Sequence, residues 1–137
     1  MKYLSQYIEE ETGALYKKLG AFYAFNKDQF NKERDKNLEY VNMGHGLLCP
    51  EKNVKEFVEK LEVAVDTAVR NDYRDNGADN IISRNYFNYE THISGDQDDL
   101  IESLEIYKKK FPKEFSSAVI AKTIAKCWTK ALKSDMF

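Results

Sequence analysis

Seven apolar residues, Val54, Phe57, Val58, Leu61, Val65, Ala68 and Val69, recur at the i, i+3, i+4, i+7 spacing of one helix face. No other pattern in the chain restricts its fold as strongly. The stripe runs for about five turns, long enough to organise the rest of the chain around one core helix. Asn53 stands just ahead of it with Glu56 three residues later, the order of a capping box, so the helix is expected to begin there. The polar run Asp72–Gly77 is expected to break it.

Upstream, Leu4, Ile8, Leu15 and Leu19 fall close to one helical face with Tyr7 beside them, predicting a helix over residues 3–19 that Gly20 stops. Ala21-Phe22-Tyr23-Ala24-Phe25 reads as a brief strand, and Asn26 as the cap of a short charged helix over 28–36 anchored by Phe30. Leu38–Asn42 alternates apolar and polar side chains, Gly44-His45-Gly46 interrupts it, and Leu47-Leu48-Cys49-Pro50 follows. This predicts a hairpin, with residues 21–25 adding a third strand at most. So small a sheet requires helices packed on it.

Downstream, Ile81, Ile82, Tyr86 and Tyr89 mark a further helix ending before Ser94-Gly95, and Asp96 is placed to cap the next, with Leu100, Leu104, Tyr107 and Phe111 on its buried side. Pro112 stands just past its end. A last helix over 113–133 is expected to bury Ile120, Ile124, Cys127, Trp128 and Ala131, Trp128 being a core residue rather than a platform for stacked bases. The fold class is therefore α+β, about five helices on a small two- or three-stranded antiparallel sheet, in one domain spanning 1–137. The longest apolar runs, such as Ala21–Phe25, fall far short of the roughly 20 residues that cross a bilayer, and residues 1–11 carry no apolar export core. A cytoplasmic chain with no membrane partner is expected.

Motifs for chemistry are sparse. Cys49 and Cys127 have no short spacing to each other or to a histidine, which suits two buried thiols better than a zinc site or a disulfide framework. His45 and His92 lie on different elements. A metal site would need them to converge with Glu90 or Asp96, and neither occurs in a ligand-spaced motif, so no metal and no cofactor are expected. Asp98, Asp99, Glu102 and Glu105 after Asp96 are acids at a helix start, where they complement the helix dipole. Gly44, His45 and Gly46 are a candidate anion-binding turn, because glycines let backbone amides approach an anion, yet the spacing and lysine of a phosphate loop are missing. A tight hairpin turn accounts for both glycines. No serine or cysteine sits in a nucleophile elbow, and a non-enzymatic protein is expected.

Charge carries the strongest functional signal. The net charge of −2 divides into +6 on residues 108–137 and −8 on residues 1–107. Lys122, Lys126, Lys130 and Lys133 form a row on the last helix opposite its apolar face, and Lys108, Lys109, Lys110 and Lys113 precede them. Like charges at this spacing repel by a few tenths of a kcal/mol per pair. An anionic partner relieves that cost, whether nucleic-acid phosphates or an acidic protein surface.

Three stretches carry a resemblance: Gly20–Phe30, Tyr40–Pro50, and Asn88-Tyr89-Glu90 ahead of Ser94-Gly95-Asp96. They resemble a family of small, uncharacterised proteins encoded by bacteriophages, prophages and mobile elements. The likeness covers about residues 15–107, which makes the basic tail an addition. It implies Asn-His-Glu as the commoner form of Asn88-Tyr89-Glu90, so that Tyr89 replaces the one histidine suggesting shared chemistry. It also implies a context, a small protein that occupies a surface on a larger host machine.

The function expected on these grounds is a binding protein that inhibits a host defence protein or ribonucleoprotein in a bacterial cytoplasm. Its most concrete form is an anti-CRISPR that contacts an RNA-guided nuclease or its guide RNA through Lys108–Lys133. The alternatives are a sponge for a nucleotide signal, using Gly44–Gly46, and a nucleic-acid-binding accessory protein of phage replication. An enzyme would show itself by convergence of His45, Glu90 and His92.

Overall fold

In the computed structural model, which describes residues 2–89, 91 and 97–134, the first helix, α1 (Leu4–Leu19), ends where Gly20 takes left-handed backbone at φ 75° and ψ 20°. That conformation costs a glycine nothing and lets the Ala21 amide donate back to Tyr16 O at 3.0 Å. The chain divides into two compact units, Met1–Ala68 and Val69–Phe137.

The first unit holds α1, the sheet and a short helix. Strand β1 (Phe22–Tyr23) leads into α2 (Lys27–Glu33), capped as its sequence predicts: Asn26 Oδ1 accepts from the Gln29 amide at 2.9 Å, while Gln29 Oε1 accepts from the Phe25 amide at 2.8 Å. Strands β2 (Tyr40–Gly44) and β3 (Leu47–Pro50) form the expected hairpin. The sheet has three antiparallel strands in the order β1-β3-β2, with Phe22 opposite Leu48 and Val41 opposite Cys49. Leu47 and Cys49, on the middle strand, are buried with Leu15, Leu19, Ala21 and Phe57 in one cluster. Fully burying a Leu or Phe contributes about 1.5–3 kcal/mol, so this cluster holds the small sheet on its helices.

The third helix, α3 (Val54–Asn88), begins after a turn of 3-10 helix over Glu51–Asn53. Asn53 Nδ2 donates to Leu19 O at 2.8 Å, tying the start of α3 to the end of α1. Of the predicted stripe, Phe57, Ala68 and Val69 are buried and Val54, Leu61 and Val65 half-buried, but Val58 is 54% exposed. A core on one side leaves the edge of so wide a stripe in solvent. The expected break over Asp72–Gly77 is a correction: the helix continues through Asp72, and only Gly77 leaves helical geometry, at φ 75° and ψ 165°. Residues 54–68 belong to the first unit and 69–88 to the second.

The second unit adds α4 (Asp98–Lys110) and α5 (Ser117–Lys133). The predicted cap Asp96 and the end at Ser94-Gly95 lie outside the described residues. Leu100, Leu104 and Tyr107 form the buried face of α4, and Phe111, just past its end, stacks on Tyr73 with ring centroids 4.2 Å apart. The last helix starts four residues later than its periodicity suggests. Residues 112–115 make a turn that buries Phe115, and Ser116 then caps α5, its hydroxyl accepting from the Val119 amide at 3.3 Å. With five helices and a three-stranded antiparallel sheet among the described residues, the chain is an α+β protein.

Candidate functional site

The lysine row is built by the way α5 is seated. Ile120, Thr123, Cys127 and Ala131 are buried, Thr123 Oγ1 bonds Asp79 Oδ1 at 3.2 Å, and Cys127 Sγ lies 3.4 Å from Ser83 Oγ. These contacts fix the rotation of α5 against residues 79–83 of α3. Lys122, Lys126, Lys130 and Lys133 are consequently all exposed, on a helix with no acidic residue. Lys108, Lys109 and Lys110 occupy the last turn of α4, where their charge complements the helix dipole. Lys108 Nζ also donates to Ser117 Oγ at 3.1 Å, and Lys113 is exposed in the turn that follows.

Trp128 corrects the sequence-based expectation. It is 45% exposed, and Leu132 is 53% exposed. With Ala121 and Ala125 they give α5 a third face, apolar and accessible, between its buried side and its lysines. Beside this face lies an open cavity of about 350 Å³ lined by Tyr86, Thr91, Gln97, Ala121, Ile124, Ala125 and Trp128. Thr91 is 3% exposed, and its Oγ1 is buried without a hydrogen-bond partner among the described residues. Leaving a buried hydroxyl unpaired costs roughly 1–3 kcal/mol. A second cavity of about 200 Å³, which includes Lys108, Ser117 and Glu105 in its lining, shares Gln97, Ala121 and Ile124 with the first.

The Gly44–Gly46 turn lies in the first unit, whereas all eight lysines lie in the second. Gly44, His45 and Gly46 have φ of 102°, 52° and 81°, and Gly44 pairs with Leu47. Two central residues with positive φ are the geometry of a tight hairpin turn that follows the strand twist. Gly46 has a further reason to be glycine, since a Cβ there would stand 3.1 Å from Ala24 O. His45 is exposed. His92, Glu90 and Asp96 lie outside the described residues, and among the described residues no group of three or more His, Cys, Asp or Glu is placed to hold a metal ion. Cys49 and Cys127 are both buried free thiols, one in each unit, and burial pushes the Cys49 thiol up.

The most developed polar cluster is one that sequence reasoning missed. Asp72 is fully buried, and Arg84 grips it with both terminal nitrogens, at 2.9 and 3.0 Å. Tyr107 donates its hydroxyl to Asp72 Oδ2 at 2.6 Å and accepts from Arg84 at 3.1 Å. Asn76 donates to Asp72 Oδ1 at 2.8 Å, and Arg84 Nε donates to Asn85 Oδ1 at 3.2 Å. Burial disfavours the charge on Arg84, but the bonds to Asp72 and Tyr107 outweigh it and raise its proton affinity. Burial first, and then the bond to Asp72, push the Tyr107 phenol far above its usual range. The network joins the two segments of α3 on either side of Gly77 to α4. Its atoms are enclosed and mutually satisfied, an arrangement that suits a structural clamp.

Among the described residues no helix is long and apolar enough to cross a membrane. The fold and the exposed basic helix define a small α+β protein with a cationic face. The chain belongs to a family of unknown function (DUF7659), whose model matches residues 4–134. That match takes in α5 and corrects the view of the basic tail as an addition after residue 107. No curated protein and no solved structure matches the chain.

Proposed function

We propose that the chain is a non-enzymatic binding protein, of phage or mobile-element origin, that inhibits a host defence ribonucleoprotein by laying α5 against its phosphates. The observation that carries this reading is the row Lys122, Lys126, Lys130 and Lys133, all exposed on a helix without a single acid. Four cations held at helical spacing repel one another in the free protein, and phosphates convert that repulsion into attraction with release of counterions. The +6 on residues 108–137 beside −8 on the preceding residues sets a preference for presenting this end of the sequence to an anion.

The form to test is an RNA-guided nuclease carrying its guide RNA. Reversing three charges together, Lys122→Glu, Lys126→Glu and Lys130→Glu, touches no buried residue, so circular dichroism should keep the helical signal of the parent. Binding to the guide-loaded nuclease, read by co-migration on a sizing column, should be abolished. Unchanged binding by the variant, or no binding by the parent, rejects the reading.

A further inference from the structure

We infer that the cavity beside Trp128 receives one unstacked base of a single-stranded nucleic acid whose phosphates follow the lysine row. The inference rests on the nucleic-acid form of the proposed function and specifies the ligand's strandedness. Three observations meet at this cavity. Trp128 is 45% exposed beside the cavity, and base stacking on an aromatic ring is tolerant of sequence because every base has a π-face. The cavity, at about 350 Å³, lies at the small end of ligand pockets, which run from roughly 300 to 1,000 Å³. Its lining is mostly apolar, and the Gln97 amide and the Thr91 hydroxyl are among its polar groups.

Thr91 points to a ligand more directly than the shape does. Its Oγ1 is withdrawn from solvent and has no partner among the described residues. A hydroxyl both donates and accepts, as the edge of a base requires, whereas an aliphatic peptide side chain would leave it unpaired. Between Trp128 and the lysine row, helical spacing places Ala125 and Thr129, both exposed and small, with Leu132 one turn further on, so a strand has a low path from the cavity to Lys122 and Lys126. The row itself extends about 16 Å along the helix axis, enough for several phosphates of one strand and far more than a lone nucleotide uses. Duplex RNA keeps its bases stacked, so it offers phosphates and 2′-hydroxyls but no unstacked base for the cavity.

Trp128 is the one tryptophan of the chain, so intrinsic fluorescence reports this cavity by itself. The full chain would be titrated with an eight-nucleotide oligouridylate, an eight-nucleotide oligoadenylate, a twelve-base-pair RNA duplex, and UMP and AMP. Single strands should quench Trp128 and bind tightly, the duplex should bind without quenching, and the mononucleotides should quench only at far higher concentration. Trp128→Ala should weaken single-strand binding by roughly tenfold and leave duplex binding unchanged. Thr91→Val, which keeps the volume and removes the unpaired hydroxyl, should weaken it by about two- to tenfold without lowering Tm. Equal, quench-free binding of strand and duplex, lost on lysine reversal, would overturn the base site and leave the phosphate surface standing. Mononucleotides that bind as tightly as strands, with lysine reversal having no effect, would overturn it in favour of a free-nucleotide pocket. No RNA binding of any kind would remove both this inference and the nucleic-acid form of the reading beneath it.

Discussion

Asp72 shows how one residue defines its surroundings. A carboxylate with no exposure survives because four hydrogen bonds, from Arg84, Asn76 and Tyr107, converge on it, and removing the charge of Asp72 or of Arg84 leaves the other buried and uncompensated. Asp72→Ala should therefore destabilise the second unit by about 3–5 kcal/mol, read as a lower urea midpoint, far beyond what an exposed ion pair such as Lys60–Glu56 contributes. A loss under 1 kcal/mol would show that the network does not hold α3 and α4 together. Tyr107 adds a pH dependence. Its folded pKa is raised above the unfolded value near 10, so its contribution is fully present below about pH 10 and is lost as pH rises beyond it. Tyr107→Phe should be less stable than the parent at pH 7, and the difference should shrink on titration into alkali. A pH-independent gap would reject this account.

At the scale of elements, Gly77 decides how α3 runs. Its φ of 75° with ψ of 165° lies in a region that side-chain-bearing residues avoid, and nothing stands within 4 Å of where a Cβ would be. Gly77→Ala thus tests backbone conformation without a steric clash, and should cost about 1–3 kcal/mol by urea unfolding. A stabilised variant would mean that an uninterrupted helix is compatible with the fold. The sequence made the existence of this kink legible but not its extent. Glycine and a polar run predicted a break over six residues, while the structure leaves helical geometry at one. Asp72 looked like part of the break because an acid is a poor core residue, yet it continues the spacing of Val65 and Ala68/Val69, and Arg84 stands three residues after buried Ile81. Helical position alone placed both inside; residue type argued against it, and pairing across 12 positions is invisible to a local pattern. The short elements were easier. Gly20, Asn26 and Gly44–Gly46 act through their own backbone or a neighbour three residues away, and each appears where its chemistry demands. Trp128 was misplaced for the opposite reason to Asp72, since its size argued for the core while its position was at the margin of the apolar face.

For the whole molecule the decisive quantity is the separation of charge along the chain, which the sequence shows completely. Its consequence depends on α5 being seated by Thr123 and Cys127, so that its lysines form one exposed row. A net charge of −2 would predict weak repulsion from nucleic acid if charge were spread evenly. With a net +6 gathered on residues 108–137, attraction should dominate at short range and fall as salt shortens the screening length, about 10 Å at 0.1 M. Single-strand binding should therefore lose affinity linearly in log salt, with a slope near −0.7 for each phosphate neutralised. Replacing Lys122, Lys126 and Lys130 by Gln removes three such contacts and should reduce the magnitude of that slope by about two. Replacing Lys17, Lys18 and Lys32, which are exposed lysines of the first unit, should leave it unchanged. If both triple variants reduced the slope equally, binding would follow net charge alone, and α5 would have no special part in it.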